Sequence, residues 1–235
     1  MKLFAGVGNN NDVRAALIAE YPWVLFSFHF FPRITPEIRR ILESTEVEVM
    51  IDSGAFSAWT CGFEIELQDY IAYLQQVRGI ASGKRGLYFV NLDVIPGTRS
   101  QRPTPEQIRK AAEDSYSNWL RARDAGLDII PVYHYGEPIE YLWRYIEEGC
   151  KFVGLGGGAF LPRQRLLEHF ASIYKETLGL VLSKRVWYHF FGCSSFAVLT
   201  TFPAYSADVA SGAKLAAMRV LNRFRGGRFV VSIPP

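Results

Sequence analysis

Eight short runs rich in β-branched and aromatic residues recur along the chain with helical stretches between them. This alternation limits the possible folds more than any other feature. The runs are KLFAGVG at 2–8, WVLFSFHF at 23–30, VEVMIDSG at 47–54, LYFVNLD at 87–93, DIIPVYHYG at 128–136, KFVGLGGG at 151–158, RVWYHFFG at 185–192 and AYSADVAS at 204–211. Each reads as a strand buried on both faces. Thr104-Pro105-Glu106-Gln107 predicts a helix opened by a capping Thr, a first-turn Pro and a capping-box Gln, running to Gly126. Thr35-Pro36-Glu37 opens another helix in the same way, Pro138 starts one that ends at Gly149, and Pro162 starts one that ends near Gly179. Strands alternating with helices are joined by crossovers and lie parallel. Eight such units in 235 residues predict an α/β chain forming one (β/α)8 TIM barrel over 1–235, with a basic tail from about 213. An open doubly wound sheet fits less well, because GVGNNND after the first run is a poor match to the phosphate turn GxGxxG.

In such a barrel, function sits at the C-terminal ends of the strands. Here those ends carry Asp52, Asp93, His134 with Tyr135, the run Gly156 to Gly158, His189 and Asp208. Taken singly, each has a plain structural reading. Asp52-Ser53-Gly54 can be an Asx turn or helix cap, Asp93 can open a tight turn, the histidines can be core residues, and the glycines can serve close packing. Taken together, six successive strand ends carry polar or backbone-exposing groups, and burying several carboxylates without a task is costly.

Composition narrows the function classes. Cys61, Cys150 and Cys193 are scattered and odd in number, so neither a disulfide framework nor a CxxC zinc site is expected. No apolar stretch reaches the roughly 18 residues of a membrane span. A soluble, cytoplasmic protein without a membrane partner is expected. The net charge is +3, yet beyond Asp208 the chain carries Lys214, Arg219, Arg223, Arg225 and Arg228 and no acidic residue. Such a tail suits either a phosphate-contacting edge or a solvated helix face.

Several of these segments resemble a known family. DSGAF at 52–56 resembles the DSGG[FY] motif of the tRNA-guanine transglycosylase superfamily, and NLDVIPG at 91–97 resembles the segment with that family's second aspartate. VYHYGE at 132–137, VGLGGGA at 153–159, HFFGCSS at 189–195 and YSADVAS at 205–211 follow in the family's order. The match spans roughly 47–212 and is closer to the phage-type branch that modifies DNA with 7-deazaguanines.

The resemblance implies a base-exchange transglycosylase that replaces guanine in a nucleic acid, DNA rather than tRNA, with a 7-deazaguanine base. Asp208 would be the nucleophile that holds the sugar covalently, and Asp52 the general acid and base. Asp93 would accept hydrogen bonds from the base, with Gly156 and Gly157 offering backbone N–H groups. Ser53, Gly54, Phe56, His134, Tyr135 and His189 would complete the base site. Tyr133, Tyr135, Phe56 and Phe190 are candidates for stacking on the flipped base. Arg99, Arg102, Lys214, Arg219 and Arg223 would contact the nucleic-acid backbone. No cofactor is implied.

Three features depart from the family. No Cys follows Cys193 and no His follows His189, so its zinc subdomain is not expected, and a partner protein or a second copy would supply the missing surface. His134 stands where the family has Gln, and SADVASG differs from the branch's Asp-Ser wording. Two other readings stay open. One is a metal-dependent hydrolase with Asp52, His134, His189 and Asp208 as ligands, although the first strand lacks the usual His-x-His. The other is a barrel that binds bases without chemistry.

Overall fold

The computed structural model describes residues 1–98, 101–158, 161–193, 195–209, 221–225 and 228–232. The strands are β1 Lys2–Val7, β2 Trp23–Ser27, β3 Glu48–Asp52, β4 Leu87–Val90, β5 Ile129–Ile130, β6 Val132–His134, β7 Phe152–Gly156, β8 Trp187–Phe190 and β9 Ser206–Val209. All pair in parallel, in the order β5-β4-β3-β2-β1-β9-β8-β7-β6. β5 and β6 at the two ends of that order are halves of one strand interrupted at Pro131, which has no N–H to give. Its carbonyl still accepts the Gly154 N–H at 2.8 Å, while the Ile130 carbonyl accepts the Asn91 N–H at 2.8 Å. The sheet is thus closed, and the eight runs read from the sequence are the eight staves of a TIM barrel.

The helices between the strands are α1 Asn10–Ile18, α2 Pro36–Glu43, α3 Ala55–Cys61, α4 Leu67–Ile80, α5 Pro105–Asp124, α6 Ile139–Glu147, α7 Arg163–Leu182 and α8 Phe196–Thr201. The expected capping box is present at α5, with Thr104 and Gln107 satisfying each other's backbone N–H. One boundary differs from expectation: α7 continues through Gly179 to Leu182. An isolated glycine costs a helix only about 1 kcal/mol, and the packed face carrying Ile173, Tyr174 and Thr177 outweighs it.

The alternation of a strand divides its residues between two cores. Phe4, Met50, Val90, Ile130 and Val132 fill the barrel interior. Their neighbours Val49, Ile51, Phe89 and Ile129, like Tyr133, Leu155 and Phe190 across the barrel, pack outward under the helices. At the N-terminal mouth Lys2 Nζ pairs with Glu48 at 2.6 Å and meets Tyr205 Oη at 2.7 Å, closing that end.

The basic stretch beyond Asp208 suits an edge or a helix face, and its described residues beyond β9, 221–225 and 228–232, are strands. β10 Leu221–Arg225 and β11 Arg228–Ser232 pair antiparallel. Among the described residues no helix is long and apolar enough to cross a membrane.

Candidate functional site

Asp52 shares strand parity with Met50, two residues earlier in β3, and so faces the barrel axis at its C-terminal mouth. Its Oδ2 accepts the Gly54 N–H at 2.9 Å, and Ser53 Oγ accepts the Ala55 N–H at 3.2 Å. This turn opens α3 directly from the strand. Gly54 has φ +77°, and a Cβ there would lie 2.5 Å from the Cβ of His29. Only glycine fits this position. Burial pushes the Asp52 carboxyl up to about 7, helped by the charges of Asp93 and Asp208 and opposed by the Gly54 N–H.

Asp93 follows β4 and is held from α5. Asn118 Nδ2 donates to the Leu92 carbonyl at 2.9 Å, and Ser115 Oγ accepts the Val94 N–H at 2.8 Å. Asp93 Oδ2 lies 2.8 Å from His134 Nε2, and the opposite ring nitrogen, Nδ1, lies 3.1 Å from Glu137 Oε1. Burial alone would lower the His134 pKa, but the bonds to Asp93 and Glu137 outweigh it and raise it to about 10. The ring lies against Gly156, where an added Cβ would be 2.9 Å from His134 Cδ2. Gly157, at φ +77°, brings the chain close to the Tyr135 backbone.

Asp208 lies next to last in β9 and faces the axis. Its Oδ1 accepts the Gly192 N–H at 2.7 Å and lies 3.3 Å from His189 Nε2. His189 Nδ1 meets Ser206 Oγ at 2.8 Å. Among the described residues the second Asp208 oxygen has no hydrogen-bond partner. Gly192, which bonds Asp208, also lines a cavity of about 210 Å³ together with Gly156, Gly158, Phe191 and Cys193.

The mouth therefore gathers Asp52, Asp93, His134, Gly156 and Asp208 as expected. His189, Ser53, Tyr133 and Phe190 are placed differently from expectation. His189 is fully buried and supports Asp208 rather than reaching a ligand. Ser53 is also fully buried and caps backbone. Tyr133 and Phe190 have outward parity and lie in the helix-facing core, Phe190 against Phe170 at 4.5 Å between ring centroids. Phe56 and Tyr135 are exposed, and Tyr135 packs edge-on against His169. Arg102 is exposed beyond β4. Arg99, Lys214 and Arg219 lie outside the described residues, and Arg223 is placed only as a position in β10.

Asp52, His134, His189 and Asp208, the four ligands of the hydrolase reading, lie at or behind the same mouth but are not placed to share one metal ion. Both nitrogens of His134 and both of His189 are engaged as above, and among the described residues no group of three His, Cys, Asp or Glu side chains is placed to hold a metal.

Sequence reading missed Glu137, although it follows His134 by three residues. It also missed Tyr70, whose hydroxyl donates to the Val90 carbonyl at 2.7 Å just below Asp52 and Asp93. His29 was missed too; its ring packs on Phe30 and Phe63 with centroids 5.0 and 6.3 Å away. Phe30 and Phe63 are exposed in the loops after β2 and α3, forming an aromatic rim beside the mouth.

The sequence matches no protein-family model and no curated protein. Among solved structures it is similar to KGPDC from Streptococcus mutans, with 10% identity and a TM-score of 0.45 over 89% of this chain and 87% of that one. It is also similar to 2,3-dimethylmalate lyase, a PEP mutase/isocitrate lyase superfamily member, with 14% identity and a TM-score of 0.46 over 93% and 80%. Neither likeness bears on what this chain does.

Proposed function

We propose that this barrel is a base-exchange transglycosylase that replaces guanine in a nucleic acid, DNA in preference to tRNA, with a 7-deazaguanine base. The observation that carries the reading is a pair of carboxylates at one mouth in different surroundings. Asp52 is pushed up to about 7, where it can hold and release a proton, while Asp208 is held by N–H donors at one oxygen and its other oxygen is bonded by none of the described residues.

The chemistry follows from that division of roles. The available Asp208 oxygen attacks the sugar C1′, the C1′–N9 bond breaks, and its electron pair leaves with the purine, which takes the proton of Asp52. Asp52 then removes a proton from the incoming base as that base attacks C1′, and the Asp208–sugar bond breaks to restore the carboxylate. Asp93 accepts from N–H groups on the edge of the base. Arg102 and the basic residues beyond Asp208 bind the polymer backbone, and the aromatic rim receives bases next to the target.

The test is incubation with single-stranded DNA, duplex DNA and tRNA, each with a 7-deazaguanine base, followed by digestion and mass spectrometry of the nucleosides. Deazaguanosine formed by the wild type and abolished by Asp208→Asn supports the reading and names the polymer. Product that survives Asp208→Asn, or no product and no covalent adduct with any polymer, overturns it.

A further inference from the structure

We infer that Glu137 is a positioning residue of the base site, acting through His134 to hold the Asp93 carboxylate in place. This inference rests on the transglycosylase reading. Glu137 sits in the turn after β6, with its side chain only 5% exposed, and it touches His134 rather than the mouth.

Its backbone is fixed at both ends of the residue. The Glu137 N–H donates to the His134 carbonyl at 3.2 Å, and Tyr133 Oη donates to the Glu137 carbonyl at 2.8 Å. Gly136, at φ +90°, makes the reversal that returns the Glu137 carboxylate to the ring. Gly156 supplies the flat surface on which the ring lies. Neutral imidazole has one N–H and could satisfy only one of the two carboxylates as a donor. A carboxylate at each nitrogen makes both positions donors, so the ring is a cation in one fixed orientation. Asp93 then receives a charge-assisted bond at Oδ2, and its other oxygen, which none of the described residues bonds, takes an N–H donor of the base.

The charged and titratable groups around His134 are consistent with this role. Asp93 faces it from the end of β4 and Glu137 from the turn after β6. His169 on α7 feels its positive charge, which together with burial holds His169 down to about 4, so that it is neutral. Asp52 is coupled to Asp93 across the mouth. Replacing Glu137 by Gln leaves His134 with one carboxylate partner and a neutral amide in place of the other.

The experiment compares wild type with Glu137→Gln, with thermal unfolding of both as a control for folding. Histidine titration by NMR is expected to place the His134 pKa about one to two units lower in Glu137→Gln. In base exchange with free guanine, KM is expected to rise about tenfold while kcat changes less than about twofold. Gly156→Ala, which displaces the ring, is expected to show the same KM effect with Glu137 intact.

An unchanged His134 titration in Glu137→Gln overturns the inference whatever the activity. A shifted titration with unchanged KM also overturns it, and leaves the transglycosylase reading standing. If wild type exchanges no base, the transglycosylase reading falls, and the titration alone then supports or overturns the link from Glu137 to His134. If Glu137→Gln does not fold, Gly156→Ala carries the KM test.

Discussion

His189 on β8 and Asp208 on β9 meet through Nε2 and Oδ1 at 3.3 Å, with the imidazole fully buried behind the carboxylate. The residue that reads from sequence as a ligand contact is a support for Asp208, the nucleophile of the proposed reaction. His189→Leu keeps the bulk and removes the donor. Adduct formation on Asp208 is expected to slow by at least about tenfold, with guanine affinity unchanged and stability lower by about 1–3 kcal/mol. Single-turnover intact-mass kinetics and denaturant unfolding check this; an unaltered adduct rate refutes the supporting role.

Asp52 carries a pH signature. Its folded pKa of about 7 lies above its unfolded value near 4, so the folded state binds its proton more tightly. The stability contribution is therefore complete below pH 4 and is lost as pH rises toward and through 7. Asp52→Asn is expected to be more stable than wild type at pH 8 by about 1–3 kcal/mol, with the difference narrowing toward pH 4. Base departure should slow about tenfold per unit above pH 7, as expected when the acid is deprotonated. Unfolding curves and single-turnover rates from pH 5 to 9 are the measurements.

His134 has the same sign in a higher pH window. Its folded pKa near 10 exceeds the unfolded value of 6.5, so its stabilisation is fully present below about pH 6.5 and is lost as pH rises through 10. His134→Gln should therefore cost most at pH 6, by about 2 kcal/mol or more, and least above pH 10. Urea unfolding of both proteins at pH 6, 8 and 10 tests the sign, and a cost that grows with pH contradicts the ion triad.

Phe30 and Phe63 are 52% and 68% exposed beside the mouth. Replacing both with Ser should leave stability within about 0.5 kcal/mol. Affinity for single-stranded polymer should fall about tenfold, since stacking on an aromatic contributes about 1–3 kcal/mol per base. Fluorescence anisotropy of a labelled strand reads this directly; equal affinities would remove the rim from the polymer path.

Gly54→Ala combines a positive φ with a Cβ placed 2.5 Å from His29. Destabilisation by about 2–4 kcal/mol is expected, together with loss of exchange as the Asp52 turn moves. Thermal unfolding and product analysis check both, and a variant as stable as wild type would show that the turn relaxes freely.

Strand-helix alternation, the capping box at Thr104 and the polar strand ends were legible because each depends on residues close together in the chain. Alternation along single strands also contained the reason that Tyr133 and Phe190 leave the site, since each has the opposite parity from His134 and His189. Which charges meet was decided only by the closed barrel. Asp93 reaches His134 across the β4–β5 seam, His189 reaches Asp208 across the β8–β9 pair, and Gly156 accepts the His134 ring from the next strand. Burial is likewise a property of the assembled barrel, and it is burial that separates a proton-holding Asp52 from an ordinary carboxylate. The sequence by itself determined the eight staves and the residues at their ends; the register that closes them, which joins residues more than a hundred positions apart, decided which of those residues face one another and with what charge.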